Sequence, residues 1–525
     1  MTTTKKTTTK NSVALTASII TGLSVAERGL GFLYRIALSH LIGAEGLGLY
    51  QVALSLFSLF LTIGTGGIPI TVSRMISKSK AENRPLDEHR AVSAGLTLSL
   101  LLTLPVCLFL IPFGDRLGFL FTDERAFPVF RILLIGLCFS SLYAVFRGSF
   151  WGNKQFLLPS IIEIAEESVM VIVGVLLLQN VTNAASGAEL AAWAVVLSYL
   201  FSFTASTLCF FFRGGKLSHP KNTLKPLFNA TLPITSVRAS GSLVNSAVAV
   251  LLPVMLVRAG LESGEALALF GVVSGMVLPI LFIPSTIIGS LSLVLVPELS
   301  EDFYRKNFTR LTKNIERGLT FAFLLACALI PFFFALGNDL GMLAFSNAKA
   351  GEMIAASAPI LLPMSLTMIS TSMLNSMGFE RQSFLFYFVG AAAMLLCILT
   401  LPALCGIYAY LIGLGASFTL TALCNLIFLR KKCPIFQKTR GQVRVERIFT
   451  PLLLLLPITI FGKLLDQLFS HFMGELLALS FSALLMSALT FALYLLCGFL
   501  HLSAIKNHFT ISKAKKRSNC KNGGF

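Results

Sequence analysis

Long, nearly uncharged apolar runs recur from one end of this 525-residue chain to the other, and they decide its fold class. Runs of about twenty residues match a hydrocarbon layer roughly 30 Å thick at about 1.5 Å per residue. Backbone groups in lipid must bond within their own segment, so such runs are helices. Alternating segments of about ten residues, which would signal a membrane barrel, do not occur. Only 13% of residues are charged, against about a quarter in soluble proteins, and the charges gather between the apolar stretches. The expected fold is an all-α polytopic membrane protein with about 14 transmembrane helices. Its spans fall near residues 12–38, 48–76, 90–113, 128–149, 159–179, 188–211, 228–257, 267–297, 314–336, 352–375, 383–401, 407–429, 448–468 and 475–500.

An even number of spans puts both termini on one side. Of the 42 Lys and Arg, 33 lie at the tails and even-numbered connections, five at the odd-numbered ones and four inside spans. The positive-inside rule then predicts cytoplasmic termini. The net charge of +18 needs no nucleic acid: basic loops beside anionic membrane lipid account for it. The run after Lys5, Lys6 and Lys10 continues past Glu27 and Arg28 to His40 without a small-residue cleavage site, so it reads as a span and not a signal peptide. The ten cysteines form no CxxC and mostly sit in apolar runs, as small core residues do.

The chain also echoes itself. Gly43-Ala44-Glu45-Gly46-Leu47-Gly48-Leu49-Tyr50 matches Ser263-Gly264-Glu265-Ala266-Leu267-Ala268-Leu269-Phe270, a shift of 220. Gly148-Ser149-Phe150-Trp151-Gly152-Asn153-Lys154-Gln155 answers Asn375-Ser376-Met377-Gly378-Phe379-Glu380-Arg381-Gln382, a shift of 227. Six spans separate each pair, so the halves share an orientation, as parallel repeats do. The expected organisation is an N-tail (1–11), an N-lobe (12–215), a C-lobe (216–432), two added helices (433–503) and a basic C-tail (504–525).

Several of these segments resemble a known family. Gly31-Phe32-Leu33-Tyr34-Arg35, Leu41-Ile42-Gly43 through Tyr50-Gln51, and Gly67-Ile68-Pro69-Ile70 leading into Ser73-Arg74-Met75-Ile76-Ser77 resemble the stage V sporulation protein B family. Phe146-Arg147-Gly148-Ser149-Phe150-Trp151-Gly152 is similar to that family's Arg-Gly-Tyr-Phe-Gln-Gly, with Ser and Trp substituted at two positions. The family lies in the multidrug/oligosaccharidyl-lipid/polysaccharide (MOP) exporter superfamily, with the lipid II flippases, the O-antigen-type flippases and the MATE drug exporters. The resemblance implies a V-shaped, alternating-access carrier with a cationic cavity, and places Arg74 and Arg147 in a motif at the cytoplasmic side.

Charges inside spans cost roughly 2.5–3.5 kcal/mol each on insertion scales and so ask for a reason. Arg28 and Arg238 fall near the midplane of the first helix of each half. Arg35, seven residues beyond Arg28, shares a similar face. A guanidinium stays protonated and offers a planar fork of donors, which suits a pyrophosphate. The resemblance implies the same role for first-helix arginines. The alternatives are that Arg28 pairs with Glu27 or another helix's acid and that Arg35 snorkels outward. Glu163, Glu166 and Glu167 stand at i, i+3 and i+4 on the fifth span. They either complement its N-terminus or act, with Glu27, in gating or ion coupling. Gly64, Gly66, Gly67, Pro69, Pro253, Pro279 and Pro284 are candidate helix-bending positions.

No HExxH, Walker or GxSxG motif occurs, and the loops on the opposite side are short, so neither a metal, a cofactor nor catalytic residues are expected. The expected function is a flippase moving a polyprenyl-pyrophosphate-linked glycan (lipid II or an oligosaccharide-lipid) for cell-wall, spore-cortex or surface-polysaccharide synthesis. Cell-wall synthesis proteins are the expected protein partners. A MATE-like proton- or sodium-coupled multidrug exporter is the alternative, and a non-transporting scaffold ranks third.

Overall fold

A computed structural model describes residues 4–82, 85–113, 118, 121–181, 183–220, 222–432 and 446–499. The expected basic tail 504–525 and connection 433–445 lie outside the described residues. The described chain is helical throughout: α1 Thr4–Thr65, α2 Ile68–Ala81, α3 Pro85–Phe113, α4 Ala126–Gly152, α5 Leu157–Leu178, α6 Ala184–Phe212 and α7 Leu224–Arg258. There follow α8 Ser263–Leu281, α9 Ile283–Tyr304, α10 Phe308–Phe345, α11 Ala348–Ser376, α12 Glu380–Thr400, α13 Tyr408–Lys432, α14 Glu446–Phe472 and α15 Glu475–Leu496.

Thirteen segments are long and apolar enough to cross a membrane. The first, Ile19–Ala81, runs from α1 into α2 and holds two expected spans. Conversely, the expected eighth span, 267–297, is divided between α8 and α9, each long and apolar enough to cross by itself. The 22-residue α5 carries three carboxylates and falls short on composition alone. The described residues thus hold thirteen candidate spans, against the about 14 expected from the sequence.

The bends have local causes. Gly43 adopts φ 67, ψ −177 inside α1, backbone that glycine alone enters cheaply, and there the first span gives way to the second. The second span then breaks at Gly66-Gly67, and α2 restarts with Pro69 in its first turn, where a missing N–H costs nothing. The eighth span repeats the device: α8 stops at Leu281 and α9 restarts at Ile283-Pro284. Ahead of that break, Val272–Val277 is a π-helical stretch. Pro279 follows it at once, and the wider turn accommodates a residue that cannot donate to the helix ladder.

The two echoing turns share one backbone closure. Gln155 N–H reaches the Phe150 carbonyl at 2.9 Å over left-handed Lys154 (φ 59), and Phe379 N–H reaches Leu374 at 3.0 Å over Gly378 (φ 82). Both are Schellman ends. They relate Lys154 to Gly378, an offset of 224 and not the 227 obtained by matching letters. Backbone conformation, not the coincidence of Gln155 with Gln382, sets the register.

The chain packs as two compact units, Met1–Ile280 with Ala391–Gly413, and Leu281–Gly390 with Leu414–Phe525. The first holds a core of Ile68, Val72, Val145, Phe146, Ile162 and Leu227, which joins α2, α4, α5 and α7. The second is built on Ile288, Leu299, Ile315, Ile369, Met373 and Leu429. Within the second unit, α14 and α15 dock on α10 through Leu336, Ile458 and Met486.

Candidate functional site

The first unit gathers charge in its interior. The α4–α5 turn is tight, so the last turns of α4 lie beside the first turns of α5. Arg147 donates through Nη1 to Glu163 Oε1 at 3.0 Å. Its guanidinium lies over the rings of Tyr143 and Trp151, at 5.7 and 5.2 Å from their centroids. These aromatics stand one turn either side of Arg147 on α4 and fix it by cation–π attraction. Arg147 Nε is buried and has no acceptor among the described residues.

The other carboxylates of α5 extend the cluster. Glu166 lies near Ser202 of α6 and within the fields of Glu163, Glu167 and Arg147. Glu167 lies against α1: a methyl group on Gly31 would stand 2.7 Å from its Oε1. The charges of Glu27 and Arg35 both act on Glu167. Glu27 in turn lies within the fields of Glu163, Arg28 and Arg147. Buried Tyr34 and Tyr50 border Arg35 and Glu167. Six of the sequence candidates therefore meet here: Glu27, Arg35, Arg147, Glu163, Glu166 and Glu167. Carboxylates outnumber guanidinium groups, which gives this interior an acidic bias.

Arg28, Arg74 and Arg238 stand apart, each with an exposed side chain. Neither Arg28 nor Arg238 forms an ion pair with a described residue, so Arg28 does not take up Glu27 as a close partner. The position of Arg238 follows from how α7 packs on the second span. Ser246 donates to the Ser55 carbonyl and the Thr62 and Ser242 hydroxyls meet, both at 2.7 Å. Thr235 then reaches Gly67. Arg238 thus stands on α7 between Thr235 and Ser242, level with the Gly66-Gly67 break.

At the opposite end of the same unit, the two copies of the echoing octapeptide touch each other. A methyl group on Gly48 would sit 2.6 Å from the Leu267 carbonyl carbon and overlap its oxygen, and one on Gly271 would sit 2.9 Å from Gly48 Cα. Such close backbone approach is how small residues join membrane helices. An ionic latch lies over this crossing. Arg125 Nη2 donates to Glu45 Oε1 and to Asp123 Oδ2, each at 2.7 Å. Ser263 Oγ at the start of α8 donates to the Thr122 carbonyl at 3.3 Å and to Asp123 Oδ2 at 3.4 Å. Hydrogen bonds from Arg125 hold the Asp123 carboxyl below the usual range, and those to Asp123 and Glu45 push the Arg125 guanidinium up.

Sequence reasoning passed over this latch, because Arg125 read only as one of five opposite-side basic residues. It likewise gave no sign of Asn425 in the second unit, fully buried, which donates to the Ser370 and Thr371 hydroxyls at 3.0 Å.

Comparison with known proteins adds the following. A family model described as "Polysaccharide biosynthesis protein" matches residues 14–303. Stage V sporulation protein B of Bacillus subtilis (strain 168) is 24% identical over 444 residues, 80% of this chain and 84% of that protein. The lipid II flippase MurJ of the same organism is 20% identical over 507 residues, 90% and 92% of the two chains. Among solved structures, an inward closed conformation of lipid II flippase MurJ superposes with TM-score 0.64 at 16% identity, over 90% of this chain and 99% of the other. An inward-facing MATE family multidrug resistance transporter of the MOP superfamily also gives 0.64 at 16% identity, over 78% and 96%.

Proposed function

The chain belongs to the polysaccharide biosynthesis protein family, in the MOP superfamily, and from that premise we propose that it is a flippase for a polyprenyl-diphosphate-linked sugar. The observation that carries this reading is the pair of exposed arginines on the first helices of the two halves, Arg28 on α1 and Arg238 on α7. A guanidinium at membrane depth without a carboxylate partner is costly, and a diphosphate headgroup would repay it with charge-assisted, forked hydrogen bonds. Arg35 extends the same surface toward the interior of the first unit. Similarity to stage V sporulation protein B and to lipid II flippase MurJ supports a lipid-linked glycan as cargo.

In this reading the chain is a carrier and not an enzyme. It sits in a bacterial cytoplasmic membrane with both termini in the cytoplasm, and residues 12–215 and 216–432 form the two lobes. Glu27, Glu163, Glu166 and Glu167 serve gating or ion coupling, and Arg74 and Arg147 mark the cytoplasmic ends of α2 and α4. One observation favours a second reading: the acidic bias around α5 would suit a MATE-like, ion-coupled exporter of cationic drugs.

Complementation separates the two. Cells depleted of their own lipid II flippase would express the wild-type chain or the Arg28→Ala and Arg238→Ala variants at matched membrane levels. Rescue by the wild type and by neither variant supports the flippase. Failure of a well-inserted wild type, together with new resistance to cationic dyes, supports the exporter.

A further inference from the structure

The Arg147–Glu163 pair has features of a contact made to be exchanged. It lies about 8 Å inside the end of the α4–α5 hairpin, at about 1.5 Å per residue from Gly152 and Leu157. Both side chains are about a quarter exposed, so the pair is open to a ligand entering from the basic side. Arg147 is pre-aimed by Tyr143 and Trp151, yet only one of its donors meets Glu163 and its buried Nε has no acceptor among the described residues. A buried donor on a permanent cation calls for an acceptor. A diphosphate, with several oxygens, would satisfy the fork more fully than the single carboxylate oxygen does.

What Glu163 faces matters equally. Besides Arg147 and Tyr143 from α4, its neighbours are Glu27 from α1 and Glu166 from its own helix. Once its guanidinium is taken, Glu163 is left facing the like charges of Glu27 and Glu166, a repulsion that uptake of one proton by the cluster relieves.

Resting on the flippase reading, we infer that Arg147 is a substrate-binding residue for which Glu163 and the diphosphate headgroup compete, so that cargo binding transfers a proton from water on the basic side to Glu163. Headgroup and proton are thereby linked: each favours the other, with no contact between them. The pair becomes the point at which cargo loading and proton uptake are coupled.

Calorimetric titration of the purified full-length protein with farnesyl diphosphate tests this, run in two buffers of different ionisation enthalpy to give the proton uptake per ligand. Wild type should bind more tightly as pH falls and take up protons on binding. Glu163→Gln, which removes the competitor, should bind about tenfold tighter at neutral pH with a smaller proton uptake and a flatter pH dependence. Because the probe's own protonation is common to both proteins, the difference isolates Glu163. Glu163→Asp should restore the wild-type pattern, which a merely structural role for the side chain would not require. Equal affinity and equal proton uptake in wild type and Glu163→Gln would overturn the exchange while leaving the flippase reading intact. A folded wild type that does not bind the probe would overturn both.

Discussion

Replacing Gly48 by alanine should pry open the end of the first unit where the echoing segments cross. The added methyl would lie 2.6 Å from the Leu267 carbonyl carbon, about 1 Å inside ordinary contact between carbon atoms at roughly 3.5–4 Å. The obstacle is main chain on α8, not the tip of a flexible side chain, so relief requires the helices to move apart. Overpacking of this kind costs roughly 1–3 kcal/mol. Charged against the closed crossing alone, it shifts the balance toward the open arrangement by roughly 5- to 150-fold. The assay is the rate at which a membrane-impermeant maleimide labels Ser263→Cys, which sits beneath the latch, in a background where exposed Cys405 is serine. Labelling should accelerate at least several-fold when Gly48→Ala is added, with protein level and thermal stability as controls. Equal rates in a well-folded double variant would refute the claim that this crossing is a seal.

Three smaller effects follow from the same geometry. Arg125→Ala should speed the same labelling only modestly, because a half-exposed ion pair contributes about 0–1 kcal/mol. Since Arg125 holds the Asp123 carboxyl below its ordinary range, that contribution is full above the unfolded value near about 3.9 and is lost as pH falls through the folded one. Labelling in proteoliposomes should therefore be flat across neutral and mildly acidic pH and rise only in strong acid, and a rise near neutrality would contradict the assignment. Lys154→Gly should raise the thermal unfolding midpoint, because Lys154 holds φ 59 in a turn where a side chain costs roughly 1–2 kcal/mol; a lowered midpoint would mean its ammonium makes a contact worth more than the strain.

What the sequence disclosed depended on how local the signal was. Helix positions followed from apolar runs, even for α5, whose three carboxylates spoil its composition without shortening it. The acidic face of α5 was legible because i, i+3 and i+4 are neighbours on any helix. Its pairing with Arg147 was not, since that depends on the hairpin closing over the left-handed turn at Lys154. The octapeptide echo was visible as letters, but likeness does not imply contact, and the meeting of Gly48 with Leu267 had to come from the structure. Glu45 and Arg125 lie 80 residues apart with no periodicity to join them, so the latch left no trace in the chain. For the arginines, the apolar runs marked depth along the helix and no more. That Arg35 turns toward Glu167 while Arg28 and Arg238 stay exposed is set by helix packing.

Reconstituted transport decides whether the diphosphate is what the chain carries. The purified protein would be placed in liposomes carrying a fluorescent polyprenyl-diphosphate-linked sugar, and movement between leaflets followed by the fraction of fluorescence open to a membrane-impermeant quencher. Wild type should expose the inner-leaflet pool, Arg28→Ala and Arg238→Ala should each slow this at least tenfold, and a phosphate-free analogue should be left behind. Movement of the phosphate-free analogue as fast as the diphosphate, or undiminished transport by both arginine variants, would contradict the flippase reading.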